Sequence, residues 1–124
     1  MPSRVKVFFD GGCRPNPGPI EVAVLAAGQT HLFRDLGQGT NGDAEWLALI
    51  HALRIARTLG TDFVLLGDAV AVIGPANGTV KCRGSAANHL ESFRELAGGS
   101  PPLIRYVKRA QNLAGIALAG LHPR

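Results

Sequence analysis

At 124 residues, 46% of them hydrophobic, the chain is long enough for one buried core and too short for two, so a single domain over 1–124 is expected. Its longest apolar stretch, around Val22 to Ala27, falls far below the roughly 20 residues that span a bilayer, and Cys13 and Cys82 show neither CxxC nor Cys/His spacing, which argues against a membrane span, a disulfide framework and a structural zinc site. A formal charge of +4 with a pI near 9.7 favours a polyanionic partner only modestly.

The chain passes within a few residues from Met1 into the strand-like Val5 to Phe9, leaving no room for a signal peptide, and a cytoplasmic location is expected. That first strand closes at Asp10 and gives way to the Gly/Pro/Asn-rich segment Asp10 to Pro19. Ile20 to Ala27 and Thr30 to Leu36 follow with hairpin spacing across Gly28 and Gln29. Thr40 or Asn41 can cap a helix that places Glu45, Leu49, Ala52, Ala56 and Leu59 on one face and stops at Gly60. Phe63 to Leu66 reads as a buried strand ending at Gly67-Asp68, and a short helix over Val70 to Ile73 is broken by Pro75 and Asn77-Gly78. Ser85 caps a helix to about Ala97, Leu103 to Val107 forms the last strand, and Asn112 to Ala119 reads as a short apolar helix. The order β-β-β-α-β-α-α-β-α predicts an α/β fold, a five-stranded mixed sheet with three antiparallel strands, then parallel strands, and helices on both faces.

Asp10 and Asp68 stand at the ends of apolar strands, and Glu45 heads the apolar stripe of the intervening helix. If the strands at Val5 to Phe9 and Phe63 to Leu66 are neighbours, the three carboxylates converge on one edge of the sheet. Convergent carboxylate oxygens are what a hard divalent cation requires, and metal-assisted phosphodiester hydrolysis is chemistry such a site supports.

These residues resemble the type-one ribonuclease H family, enzymes that cut the RNA strand of RNA–DNA hybrids. The resemblance rests on strand-Asp-Gly-Gly-Cys-x-x-Asn-Pro-Gly-Pro at Asp10 to Pro19, Thr-Asn-x-x-Ala-Glu-aromatic at Thr40 to Trp46, and Gly67-Asp68 followed by Val-Ile and Asn77-Gly78. It continues in Val107-Lys-Arg-Ala-Gln-Asn112, which is similar to the family's Val-Pro-Arg-Glu-x-Asn, and the blocks keep family order over nearly the whole chain. The resemblance implies a ribonuclease H-like fold, with Asp10, Glu45 and Asp68 as catalytic ligands of Mg²⁺ or Mn²⁺. It implies that Cys13, Asn16 and Asn41 face the minor groove of an RNA–DNA hybrid or other RNA-containing duplex. Arg14, Lys81 and Arg83, with Lys108 and Arg109, are candidates for phosphate contacts. Matching Asn112 and Leu118-Ala119 without a gap puts Ile116 at the family's fourth metal-binding Asp, and no acidic side chain follows Glu95. The terminal carboxylate at Arg124 is a poor substitute. The family's helper His has no match in the Gly98 to Pro102 loop, and His122 falls beyond the last helix.

Each motif alone has a plainer reading: the Gly/Pro/Asn segment as a turn-rich loop, Gly67-Asp68 as a helix cap, Glu45 as a first-turn acid answering the helix dipole. Trp46, Leu49, Leu53 and Phe93 read as core, and His31, His51 and His89 as surface or satisfied histidines. Two functions from different classes follow: a metal-dependent nuclease, impaired by the loss of the fourth carboxylate, or a weakly active or inactive module that binds RNA-containing duplexes.

Overall fold

The computed structural model describes residues 4–60 and 62–122, so the Arg124 carboxylate lies outside the described residues. Six strands and four helices follow in the order β1 (Val5–Cys13), β2 (Gly18–Ala26), β3 (Gln29–Phe33), β4 (Gln38–Gly39), α1 (Asn41–Leu59), β5 (Phe63–Gly67), α2 (Val70–Ala76), α3 (Ser85–Ala97), β6 (Leu103–Tyr106) and α4 (Leu113–Ala119). The sheet runs β3-β2-β1-β5-β6, antiparallel among the first three and parallel from β1 through β6, with the two-residue β4 paired to β2.

The first strand does not end at Asp10. Gly11, Gly12 and Cys13 pair with Val22, Glu21 and Ile20, so the ladder with β2 carries the chain three residues further despite the low strand propensity of glycine. The hairpin turn is Ala27-Gly28, with φ of 51° and 75°, the two left-handed residues of the tight turn that matches strand twist. β3 stops at Phe33 rather than Leu36, and the chain then bends to place β4 beside Gly18 and Pro19.

Helix α1 starts with a capping box: the Thr40 hydroxyl accepts from the Asp43 N–H, and the Asp43 carboxylate accepts from the Thr40 N–H. Its buried face includes Ala44, Leu49, Ala52, Leu53 and Ala56 and packs on β1 and β2; Leu59, expected on that face, is exposed as the last residue of the helix. α2 runs past Pro75 to Ala76, because a seven-residue helix loses only one intrahelical bond there and the ring is buried. α3 is preceded by Gly84 at a positive φ of 65°, and Ser85 is its first residue rather than its cap. A short 3₁₀ turn over Arg109–Gln111 leads into α4, which is capped by Asn112.

The main core lies between the sheet and α1, α2 and α3, with Phe9, Leu49, Leu53, Leu65 and Phe93 buried as expected for the aromatic and leucine positions. A smaller cluster of Ala23, Ala114 and Leu118 seats α4 on the opposite face, so helices cover both sides. No helix among the described residues is long and apolar enough to cross a membrane.

Candidate active site

Pairing between β1 and β5 stops at Phe8 and Leu66, and the two strands part beyond it. Asp10 sits two residues past that point on β1, and Asp68 two residues past it on the chain leaving β5. Glu45 reaches the same opening from α1, which lies unusually close to β1: a Cβ on Gly11 would stand 2.1 Å from the Ala44 carbonyl oxygen. The glycine is thus required by backbone approach, and it brings Glu45 beside Asp10. Oxygen atoms of Asp10, Glu45 and Asp68 all lie within 4.8 Å of one another. The three line one cleft of about 470 Å³, together with Cys13, Arg14, Asn41 and Arg109.

Crowding three carboxylates in a half-buried cleft has an electrostatic consequence. Burial, and then the charge of Asp68, pushes Asp10 up to about 6; burial, and then Asp10 and Asp68, pushes Glu45 up to about 7. Arg109 opposes both shifts. Hard oxygen donors that repel one another in the absence of a cation fit a divalent metal ion. Asn112 fixes the frame: fully buried, it donates from Nδ2 to the Phe9 carbonyl at 3.0 Å and to Asp68 Oδ2 at 3.1 Å, while its Oδ1 caps α4 through the Ala114 N–H. One side chain therefore ties β1, Asp68 and α4 together.

Of the residues expected at a minor groove, Cys13 and Asn41 line the same cleft as the acids, and Asn16 reaches it through Asn41. Asn41 Oδ1 accepts from the Cys13 N–H at 3.0 Å, and Asn16 Oδ1 accepts from the Asn41 N–H at 3.1 Å. Both amide oxygens are thereby committed to backbone, and the amide NH₂ groups of these exposed residues have no hydrogen-bond partner among the described residues. Lys81 and Arg83 lie on the exposed segment between α2 and α3, outside the cleft. The His89 ring bonds Asp43 at 2.9 Å and stacks on Trp46, while His51 stacks on Phe33.

Ile116 also lines the cleft and is 57% exposed, so the position matched to a fourth acid opens on the same cleft as the carboxylates and is not part of the core. Gly115 beside it leaves Asp10 open, since a Cβ there would come within 3.5 Å of Asp10 Oδ2. Sequence reasoning missed Glu21 at this cleft and set His122 aside as lying beyond the last helix, yet both line it. An acid interrupting the apolar run Gly18–Ala26 was the available signal for the first; nothing local marks the second.

A sheet in the order β3-β2-β1-β5-β6, flanked by helices on both faces and carrying its acids where β1 and β5 part, defines a ribonuclease H-like fold. No protein-family profile matches the chain. A ribonuclease HI of Halobacterium salinarum is 41% identical over 75 residues, a match that takes in 56% of this chain and 38% of that protein's length. The crystal structure of a ribonuclease H1 from the same halophilic archaeon superimposes with a TM-score of 0.81 at 32% identity, covering 94% of each chain. The N-terminal ribonuclease H domain of a Mycobacterium tuberculosis protein gives a TM-score of 0.72 at 28% identity, over 98% of this chain and 100% of that one. A metagenomic ribonuclease H1 solved with an RNA/DNA hybrid, at 23% identity, shares the fold with a TM-score of 0.79 over 93% of each chain. The chain belongs to the type-one ribonuclease H family.

Proposed function

We propose that this chain acts, as a single domain in a cytoplasmic setting, as a metal-dependent endonuclease that hydrolyses the RNA strand of RNA–DNA hybrids. The convergence of Asp10, Glu45 and Asp68 carries the reading. These three would hold Mg²⁺ or Mn²⁺, which when bound polarises the phosphate and lowers the pKa of a coordinated water. Asn41 and Asn16 present amide donors to the wide, shallow groove of an RNA-containing helix, whose 2′-hydroxyls distinguish it from DNA, with Cys13 packed behind them. Arg14 and Arg109 at the cleft, and Lys81 and Arg83 farther out, supply phosphate contacts that add affinity without sequence choice. Support for the substrate comes from the family and from the relative bound to an RNA/DNA hybrid.

Ile116 favours a second reading, a duplex-binding module with weak or no turnover, because an apolar side chain stands at the cleft where a carboxylate would serve. One experiment separates the two. A hybrid substrate is incubated with Mg²⁺ or Mn²⁺ and the wild type or Asp10→Asn. Cleavage of the RNA strand by the wild type alone supports the enzyme; hybrid binding without cleavage supports the module. Equal affinity for hybrid and duplex DNA throughout a salt series would leave only non-specific charge attraction and sink both.

A further inference from the structure

The cleft that holds the three acids continues along β2 to a second group of charges. Glu21 sits on β2 opposite Gly12 of β1, and Ala23 sits opposite Asp10, so Asp10, Gly12, Ala23 and Glu21 share the sheet face under α4. Glu21 is a diagonal neighbour of Asp10, about 7–8 Å away between Cα atoms, and what lies between them is a glycine and an alanine. Ala23 is covered by Ala114 and Leu118 of α4, and the cleft reaches Glu21 and His122 past Gly12 and Leu118, which line it. Glu21 is only 8% exposed, and its carboxylate is occupied: Oε2 meets His122 Nε2 at 2.6 Å and Oε1 meets Arg34 Nη2 at 3.2 Å. It does not join the three acids that cluster within 4.8 Å.

An ionised carboxylate can only accept, so Glu21 places the imidazole proton on Nε2 and leaves Nδ1 as the basic nitrogen. Nδ1 has no hydrogen-bond partner among the described residues, and His122 lines the cleft on the Ile116 and Ala119 side, where the fourth carboxylate is missing. We propose that His122, oriented by Glu21, is the general base of hydrolysis, with Glu21 as its positioning residue. The inference rests on the nuclease reading above. In the step, the water oxygen bonds to phosphorus, the bond from phosphorus to the ribose 3′ oxygen breaks, the water proton passes to Nδ1, and the leaving oxygen takes a proton from solvent. The charged groups that line the cleft with His122 are Glu21 from β2, Asp10 from β1, Arg14 beyond it, Glu45 from α1, Asp68 after β5 and Arg109, and Arg34 beyond β3 pairs with Glu21.

The test compares pH–rate profiles of hybrid cleavage at saturating Mn²⁺ for wild type, His122→Ala and Glu21→Gln. His122→Ala is expected to lower kcat on the order of a hundredfold, leave hybrid affinity within about twofold, abolish the limb of the profile that rises as an imidazolium gives up its proton, and recover rate when free imidazole is added. Glu21→Gln should lose about tenfold, with no imidazole rescue. Ring ¹⁵N spectra of the metal-free wild type, which do not depend on turnover, should show the proton on Nε2 and lose that preference in Glu21→Gln. A His122→Ala protein with the wild-type profile, or a slower one that keeps the limb and ignores imidazole, overturns the proposal while the nuclease reading stands, as does an Nδ1-protonated ring. A wild type that never cleaves the hybrid overturns the nuclease reading and this inference together.

Discussion

Removing one carboxylate from the cleft should make the metal-free protein more stable, the reverse of what most substitutions at a buried polar position do. Asp10 stands near 6 in the folded chain against 3.8 unperturbed, first through burial and then through repulsion from Asp68. A gap of about two pKa units corresponds to roughly 3 kcal/mol of native-state cost for the charged form. Asp10→Asn removes that charge and keeps an oxygen to accept the backbone N–H of Gly11, so the expected gain at pH 8 in EDTA is about 2 kcal/mol, or about 8 °C at some 4 °C per kcal/mol for a domain of this size. The sign follows from linkage. A carboxyl whose folded pKa is raised binds its proton more tightly when folded, so the stability it contributes is complete below about pH 4 and is lost as pH rises through about 6. Wild type and Asp10→Asn should converge near pH 4 and diverge toward pH 8. Neutralising Asp10 also relieves Glu45, whose own shift to about 7 owes part to Asp10. The assay is urea or thermal unfolding at several pH values in EDTA, repeated with Mn²⁺. The ion should stabilise the wild type and have little effect on the variant. If Asp10→Asn is no more stable than wild type at pH 8, or if Mn²⁺ stabilises both equally, the carboxylates do not repel one another as a cation site should.

Ile116→Asp should raise hybrid cleavage on the order of tenfold or more, at about 1.4 kcal/mol per decade, with stability changed by less than about 1 kcal/mol because the side chain is 57% exposed; unchanged turnover at matched folded fraction would count against the register of α4. Asn112→Ala should cost about 3 kcal/mol in denaturant unfolding, since it deletes bonds to Phe9 and Asp68 and the α4 cap at a fully buried site; a loss below about 1 kcal/mol would contradict that linking role. Gly11→Ala should destabilise by at least about 2 kcal/mol, because its Cβ meets helix backbone rather than a movable side chain, and circular dichroism melts would expose a milder outcome.

Much of this architecture was legible because each element is locally consistent: the apolar runs, the Thr40 cap and the Gly60 stop all point to the structure observed. The acids were legible for the same reason, since Asp10 and Asp68 follow apolar strands and Glu45 lies near the start of the helix between them, which leaves the adjacency of β1 and β5 as the one long-range fact needed. What escaped reading depends on pairing between distant segments. Gly11 and Gly12 look like loop by propensity, yet β2 supplies hydrogen bonds that hold them in a strand, and their lack of side chains admits α1 on one face and leaves the cleft floor open on the other. Glu21 and His122 are 101 residues apart and meet only because β2 lies beside β1 and α4 crosses both. Local chemistry therefore marked the residues that can bind a cation, whereas the residues that shape and orient the cleft around them were set by the sheet register.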